Sequence, residues 1–450
     1  MDRNASTVGA AAPAQGAPQA LLSVPDGVML VVGMVIGAGI FKAPSIVAGN
    51  VAGATEFVLA WVAGGVVSLC GALVYAELSG RFPETGGEYR FLSRGYGPGT
   101  AFVFAWSRMT VIQTGAIAAV AYVFGDYAQQ ILPLGARGGA VYAALGVVVL
   151  TALNLAGTPQ SKALQKLMGV LLVVALTAIA LVGLLGPAAP ASAAKPVAGD
   201  LGLAMIFVLL TFGGWNEAAY IAGEVREPRR NMIRILIGGI ALISAIYLIV
   251  NLAYLASLGL GGMRESKAVA SDLMRPLAGD TGAVLIALVV CLATLTTMNA
   301  AILTGARSIY AFGRDFPMFA ALGAWRPSGS TPANALILQG GVALVLVLVG
   351  SFAPDGFSAM VAYTAPVFWT FFLLCGIAVF VFRMREGIPA SFRTPVYPLT
   401  PIVFCAACAY MLYSSVNYVR FAVPFGYGVL AGLIVMAIGI PLYLAARRKA

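Results

Sequence analysis

The sequence predicts an all-α polytopic membrane protein of about twelve transmembrane helices, in which helices 1 and 6 are broken and the second five helices repeat the first five inverted. Three observations predict it. Of 450 residues, 60% are hydrophobic and only 10% are charged, with a mean hydropathy of +0.92, a composition outside the range of soluble domains. The apolar residues gather into runs of about 20, the length that crosses a hydrocarbon layer. Two of these runs, at corresponding places in the two halves, are interrupted by glycine.

Taken in order, the runs lie near 27–51, 55–80, 98–129, 139–156, 164–186, 201–221, 232–258, 281–309, 334–351, 357–382, 399–419 and 424–446. Residues 1–25 are rich in Ala, Pro, Gly, Ser and Gln and lack a basic stretch followed by a compact apolar one, so they read as a disordered tail rather than a cleaved signal. Placing the N-terminus in the cytoplasm puts Arg81, Arg90, Arg94, Arg226, Arg230, Arg314, Arg383 and Arg447 on cytoplasmic segments. The opposite face then holds little beyond Arg137, Lys195, Arg264, Lys267, Arg275 and Arg420. The positive-inside rule therefore sets both termini in the cytoplasm. The net charge of +10 has this topological explanation, and no nucleic-acid partner is expected; the partner is the lipid bilayer.

The first run contains VVGMVIGAGIFKAPS, Val31 to Ser45, and breaks at Gly37-Ala38-Gly39. The sixth contains LLTFGGWNEAAY, Leu209 to Tyr220, where Gly213-Gly214 is flanked by Phe212, Trp215 and Asn216. About five spans separate the two breaks, and an odd number inverts the second copy. In lipid, opened backbone is tolerated only where it is buried or lines a cavity. Its N–H and C=O groups suit a zwitterion: amides at a half-helix N-terminus for a carboxylate, unwound carbonyls for an ammonium. Glycine pairs also allow helices simply to pack closely, but two breaks at matching positions favour a binding site.

Four segments carry a family resemblance: GAGIF at 37–41, YAELSGRFPETGGEYRFLSRGYGPG at 75–99, FGGWNEAAYIAGEVREPRRN at 212–231 and ARSIYAFGRD at 306–315. Together they resemble the amino acid-polyamine-organocation superfamily, and NLAYLASLGLGGMRESKAVASDLM, Asn251 to Met274, is similar to its L-amino-acid transporter branch. The resemblance implies ten core helices in two inverted repeats, here 26–186 and 187–382, with two peripheral helices and a basic tail at 383–450. It implies a secondary transporter of L-amino acids, with cationic amino acids or polyamines as the alternative cargo. By the same resemblance, the amides of Ala38, Gly39 and Ile40 take the substrate carboxylate and the carbonyls of Ile36, Leu210 and Gly213 take its amino group. Leu210 stands where the branch often has a gating aromatic. Gly37 and Gly214 complete the backbone set, with Phe212, Trp215 and Asn216 as side chains that border the substrate or, for Trp215, pack into the scaffold with the indole N–H satisfied.

Coupling rests on fewer residues. Glu217, just past the second break, offers proton handling or attraction of an amine, or pairs with a cytoplasmic arginine. Thr294, Thr296 and Thr297 supply hydroxyls for sodium, or bond their own helix backbone. Leu172 occupies the position where proton-coupled or sodium-independent relatives place a lysine. Lys42 either faces an outward vestibule or extends to the outer interface, and Arg108 pairs with an acid or tunes selectivity. Asp126 and Glu56 read as solvated loop-edge acids, and Glu77, Glu84 and Glu88 as partners of nearby arginines. The chain has no histidine, no metal-binding motif and no clustered intramembrane carboxylates, so neither a cofactor nor a metal is expected and an intramembrane enzyme is disfavoured. A channel would want a continuous polar ring. A transceptor or structural subunit stays open. The five cysteines fall inside apolar runs, Cys405 and Cys408 included, so no disulfide-linked subunit is expected.

Overall fold

The computed structural model describes residues 22–82, 87–157, 162–186, 199–216, 225–326, 331–388, 392–421 and 426–447. Its first helix, α1 (Val24–Val35), starts at a capping box: the Ser23 hydroxyl accepts from the Asp26 amide while the Asp26 carboxylate accepts from the Ser23 amide. It stops at Ile36, and after Gly37 the chain re-enters helix as a 3-10 turn, Ala38–Phe41, and then α2 (Ala43–Gly49). There follow α3 (Ala54–Arg81), α4 (Gly87–Tyr96), and a long span made of α5 (Pro98–Ser107), a π turn at Arg108–Ile112 and α6 (Gln113–Ile131). The first half closes with α7 (Gly138–Leu155) and α8 (Lys162–Leu185).

The second half opens on α9 (Leu201–Thr211), capped by the Asp200 carboxylate on the Leu203 amide and ending at the second break. It continues through α10 (Pro228–Glu265), α11 (Val269–Asp315), a short 3-10 helix at Pro317–Gly323, α12 (Ala333–Gly350) and α13 (Gly356–Glu386). Two further helices, α14 (Leu399–Phe421) and α15 (Gly426–Arg447), complete the chain. Nine described helices are long and apolar enough to cross a membrane, and shorter apolar helices at Val24–Val35, Val170–Leu185 and Leu201–Thr211 fill the remaining expected spans. The sequence reading omitted α4, because its ten residues carry Glu88, Arg90 and Arg94 and cannot span.

Helices five spans apart pack against one another. Helix 2 (α3) lies along helix 7 (α10), helix 3 (α6) along helix 8 (α11), and helix 4 (α7) along helix 9 (α12). Each pair is five spans apart in the chain. The outward faces are apolar: Val141, Leu145, Val148, Ile337, Val345 and Leu348 are exposed, which suits lipid rather than water.

Polar braces tie the frame together. On the face where α1 begins, called the near face below, the Arg383 guanidinium on α13 donates to both oxygens of Glu77 on α3, at 2.8 and 2.6 Å, and the Thr394 amide adds a third bond at 2.7 Å. The expected neighbour, Arg81, lies 4.0 Å from Glu77 as a longer ion pair and also bonds Glu386 at 3.0 Å and the Gly387 carbonyl. Glu84 lies outside the described residues. At the far face α10 and α11 extend past kinks at Gly259 (φ 63°) and Gly279 (φ 60°). The two arms so formed bury Met263, Val269, Ala270 and Leu273 against the bundle.

Candidate functional site

The two breaks face each other. A Cβ on Gly39 would stand 3.1 Å from the Thr211 side chain and 3.2 Å from its Cα, and one on Gly214 would stand 2.7 Å from the Met34 carbonyl oxygen. Gly214 also holds φ at 112°, which a residue with a Cβ adopts only under strain. Thus the end of α9 and the break after α1 approach at backbone distance, and glycine is what permits it.

Exposure alternates along both breaks. Gly37 and Gly39 are half-buried between the buried Ile36, Ala38 and Ile40, and Leu210, Gly213 and Gly214 are half-buried beside the buried Thr211, Phe212, Trp215 and Asn216. What these segments offer to the space between them is therefore mostly main chain. The Gly213 amide bonds the Leu210 carbonyl at 3.0 Å, closing the last turn of α9. Ala38 and Gly39 open a new 3-10 helix, where the first amides have no carbonyl behind them within the helix.

The aromatic residues face the scaffold. Phe212 packs edge-on to Tyr247 (centroids 5.1 Å apart) and against Trp61, while Trp215 packs against Tyr75, Phe372 and Phe404. Of the two expectations for Trp215, its surroundings resemble the packed one: Gly71 on α3 leaves room for the indole, within 3 Å of where a Cβ would sit. Asn216 is likewise engaged by the scaffold: its Nδ2 donates to Glu88 Oε1 at 3.1 Å, and its Oδ1 accepts from the Gly214 amide at 3.3 Å. Glu88 also accepts from the Tyr75 hydroxyl at 3.0 Å and from Arg108 at 3.4 Å. Arg108 therefore has the acidic partner expected of it, and the partner holds the second break in shape through Asn216.

Sequence reasoning missed Tyr247. Its hydroxyl, fully buried on α10, reaches the Val35 carbonyl at 3.0 Å and the Thr211 carbonyl at 3.1 Å, so one proton is shared between the ends of both broken helices. The available signal was a tyrosine amid an apolar span, whose hydroxyl has to find a partner.

Of the coupling candidates, Thr297 lies at the first break, its methyl 3.4 Å and its hydroxyl 3.5 Å from where a Gly37 Cβ would be. Its hydroxyl donates to the Ala293 carbonyl. Thr294 is buried and bonds the Val290 and Cys291 carbonyls, and Thr296 bonds the Leu292 carbonyl on the face that exposes Leu285, Leu288 and Leu292. The three hydroxyls thus do not converge. Glu217 lies outside the described residues. Leu172 is half-buried against the core.

Toward the near face, α5, the π turn and α11 line a cavity of about 360 Å³ whose walls include Phe104, Arg108, Gln113, Gly305, Arg307 and Asp315. Gly305 is two turns, about 12 Å, along α11 from Thr297. Toward the far face the way is filled. Lys42 is buried with its ammonium 2.7 Å from Asp126 and 3.1 Å from Asp355. This corrects both expectations for Lys42 and the solvated reading of Asp126: the lysine neither faces open water nor extends to the interface, because carboxylates from α6 and from the start of α13 close over it. Burial pushes the Asp355 carboxyl up, yet the Lys42 ammonium and the Ser358 hydroxyl and amide outweigh it, leaving it below the ordinary carboxylate value.

The sequence profile described as Amino acid permease matches residues 22–440. The chain belongs to the amino acid permease family. It is 26% identical over 427 residues to the serine/threonine exchanger SteT of Bacillus subtilis (strain 168), covering 93% of this chain and 95% of that one. It is 26% identical over 408 residues to the b(0,+)-type amino acid transporter 1 of Rattus norvegicus, covering 87% and 81%, and 26% over 430 residues to the Asc-type amino acid transporter 1 of Mus musculus, covering 92% and 78%. This amino acid permease is accordingly a multi-pass membrane transporter and not an enzyme.

Proposed function

We propose that this permease carries neutral L-amino acids across the plasma (cytoplasmic) membrane by alternating access, with both termini in the cytoplasm and the near face therefore inward. One observation carries the reading: the two breaks meet at backbone distance at Gly39 and Gly214. The space between them is bordered by amides that suit a carboxylate and carbonyls that suit an ammonium. The amides are those of Ala38, Gly39 and Ile40, and the carbonyls those of Ile36, Leu210 and Gly213. Side chains at the breaks favour a neutral cargo, since those next to Gly37 and Gly39 are Thr297 and Thr211. An exchange mode is supported by the name of the serine/threonine exchanger. The spacing of Thr294, Thr296 and Thr297 gives no support to sodium.

Cationic amino acids or polyamines would need an acid facing the site. Glu217 is the residue to test, and Glu217→Gln should leave neutral transport intact. No disulfide-linked subunit is proposed, since Cys70, Cys291, Cys375, Cys405 and Cys408 all sit within helices α3, α11, α13 and α14.

Counterflow in proteoliposomes tests the proposal. Vesicles loaded with unlabelled serine, alanine or leucine should accumulate the labelled amino acid transiently, without sodium or a pH gradient. Gly39→Leu should abolish this while inserting normally, because its side chain has to enter the space 3.1 Å from Thr211. Accumulation by Gly39→Leu at the unsubstituted rate would remove the site assignment.

A further inference from the structure

Arg307 belongs to the stretch ARSIYAFGRD, which contributes nothing to the two breaks. It stands eight residues before the end of α11 at Asp315, about 12 Å in from the near face. It is exposed there, and the space it borders is the near-face cavity. Among the described residues it has no ion-pair or hydrogen-bond partner. Arg108 lines the same cavity from the π turn, ten residues beyond the start of α5 at Pro98, about 15 Å in. The Arg108 side chain is 10% exposed and its Nη1 lies 3.4 Å from Glu88, longer than the roughly 2.7–2.9 Å of a close charge-assisted bond. Two guanidiniums thus enter one cavity at similar depth from two helices. Ser308 adds a hydroxyl to the wall, held by the Thr304 carbonyl at 3.0 Å.

An arginine within a membrane span is costly unless an acid or water meets it. The cavity's own carboxylate, Asp315, sits at the end of α11 and makes no ion pair with Arg307. Water in the cavity therefore meets Arg307, and an anion that enters takes the place of that water. The planar guanidinium fork matches a carboxylate through two parallel bonds. The cavity's volume of about 360 Å³ falls among small-ligand pockets, roughly 300–1,000 Å³. Between the two arginines and the mouth the wall is apolar, with Phe104, Ala105, Met109, Ile309 and Phe312, which suits an uncharged side chain.

We propose that Arg307, with the positive field of Arg108 beside it, forms a second site for the carboxylate of a small organic acid, and that amino acids arriving from the cytoplasm are held there before they reach the breaks. The assignment rests on the amino acid reading above. It adds a site that recognises one end of the cargo only, whereas the breaks engage both the carboxylate and the ammonium. Arg307 lies ten residues along α11 from Thr297, about 15 Å, and no residue of the two breaks lines the cavity.

Arginine modification, read residue by residue, tests the site without transport. Inside-out vesicles carrying the unsubstituted protein are treated with phenylglyoxal, and the Arg307 adduct is quantified by mass spectrometry. Leucine and N-acetyl-leucine should each slow modification at least about fivefold at saturation, because only the unoccupied fraction reacts. They should do so at similar concentrations, and leucine methyl ester should not protect. N-acetyl-leucine separates the two sites, since the breaks discriminate against it. Absence of protection by both carboxylates overturns the site, and so does equal protection by the methyl ester. Protection by leucine alone also overturns it, because it reports occupancy of the breaks. The second arm compares leucine exchange from the two faces in Arg307→Gln. The near-face KM should rise at least about tenfold, the loss of a hydrogen bond to a charged group, with the far-face KM within about twofold of its unsubstituted value. If that variant does not insert, Arg307→Lys, which keeps the charge and loses the fork, takes its place. An unchanged near-face KM overturns the holding of cargo and makes the protecting carboxylate a metabolite other than the cargo. If Arg307 is protected as expected in unsubstituted protein that gives no counterflow, the amino acid reading fails and the carboxylate site stands.

Discussion

Tyr247 has one hydroxyl proton for two carbonyls, and both belong to helices that stop in mid-membrane. Tyr247→Phe keeps the ring packed against Phe212 and Trp61 but leaves the Val35 and Thr211 carbonyls without that donor. An unsatisfied buried acceptor costs about 1–3 kcal/mol. The expected result is a lower thermal unfolding midpoint in detergent and a counterflow rate reduced about tenfold, which is about 1.4 kcal/mol in the barrier. An unchanged rate would show that the bridge does not hold the breaks together. Gly214 makes a complementary case: Gly214→Ala forces a Cβ to 2.7 Å from the Met34 carbonyl oxygen at φ 112°. It should destabilise by about 1–3 kcal/mol, read from the same melt. Stability equal to the unsubstituted protein would mean that the second break has room the packing denies it.

Among elements, α3 and α13 are joined at the near face by the Glu77–Arg383 pair, with Glu77 almost fully buried and bonded also by the Thr394 amide. Glu77→Gln leaves the Arg383 guanidinium without its bidentate acceptor, and removing one member of a buried pair costs about 3–5 kcal/mol. A loss below about 1 kcal/mol in chemical or thermal unfolding would place the pair with weak surface bridges instead. Of the two arginines that pair with Glu77, only the more distant one, Arg81 at 4.0 Å, was legible in the sequence. Arg81 sits one helical turn from Glu77 and looks like the natural partner, whereas Arg383 reaches Glu77 only because α13 crosses α3. Lys42 teaches the same lesson, since its carboxylates come from α6 and from the loop before α13. The kinks at Gly259 and Gly279 were hidden too, because a glycine among apolar residues reads equally as helix packing.

For the molecule as a whole, the spans were legible because lipid demands about 20 apolar residues whatever the neighbours are. The two breaks were legible because a glycine pair in such a run has few explanations. Side-chain directions at the breaks were not: Trp215 and Asn216 read as cargo contacts by proximity in sequence, yet Gly71 and Glu88 draw them into the scaffold. What survives at the centre is backbone, and a site made of backbone should recognise the backbone of its cargo. Competition against counterflow by blocked analogues measures this directly, using a neutral amino acid beside its methyl ester and its N-acetyl derivative. Both blocked forms are expected to compete at least about tenfold more weakly than the free amino acid, each having lost one charged group that a pair of hydrogen bonds would hold. Competition by either blocked form at the strength of the free amino acid would contradict a site built from the amides and carbonyls of the two broken helices.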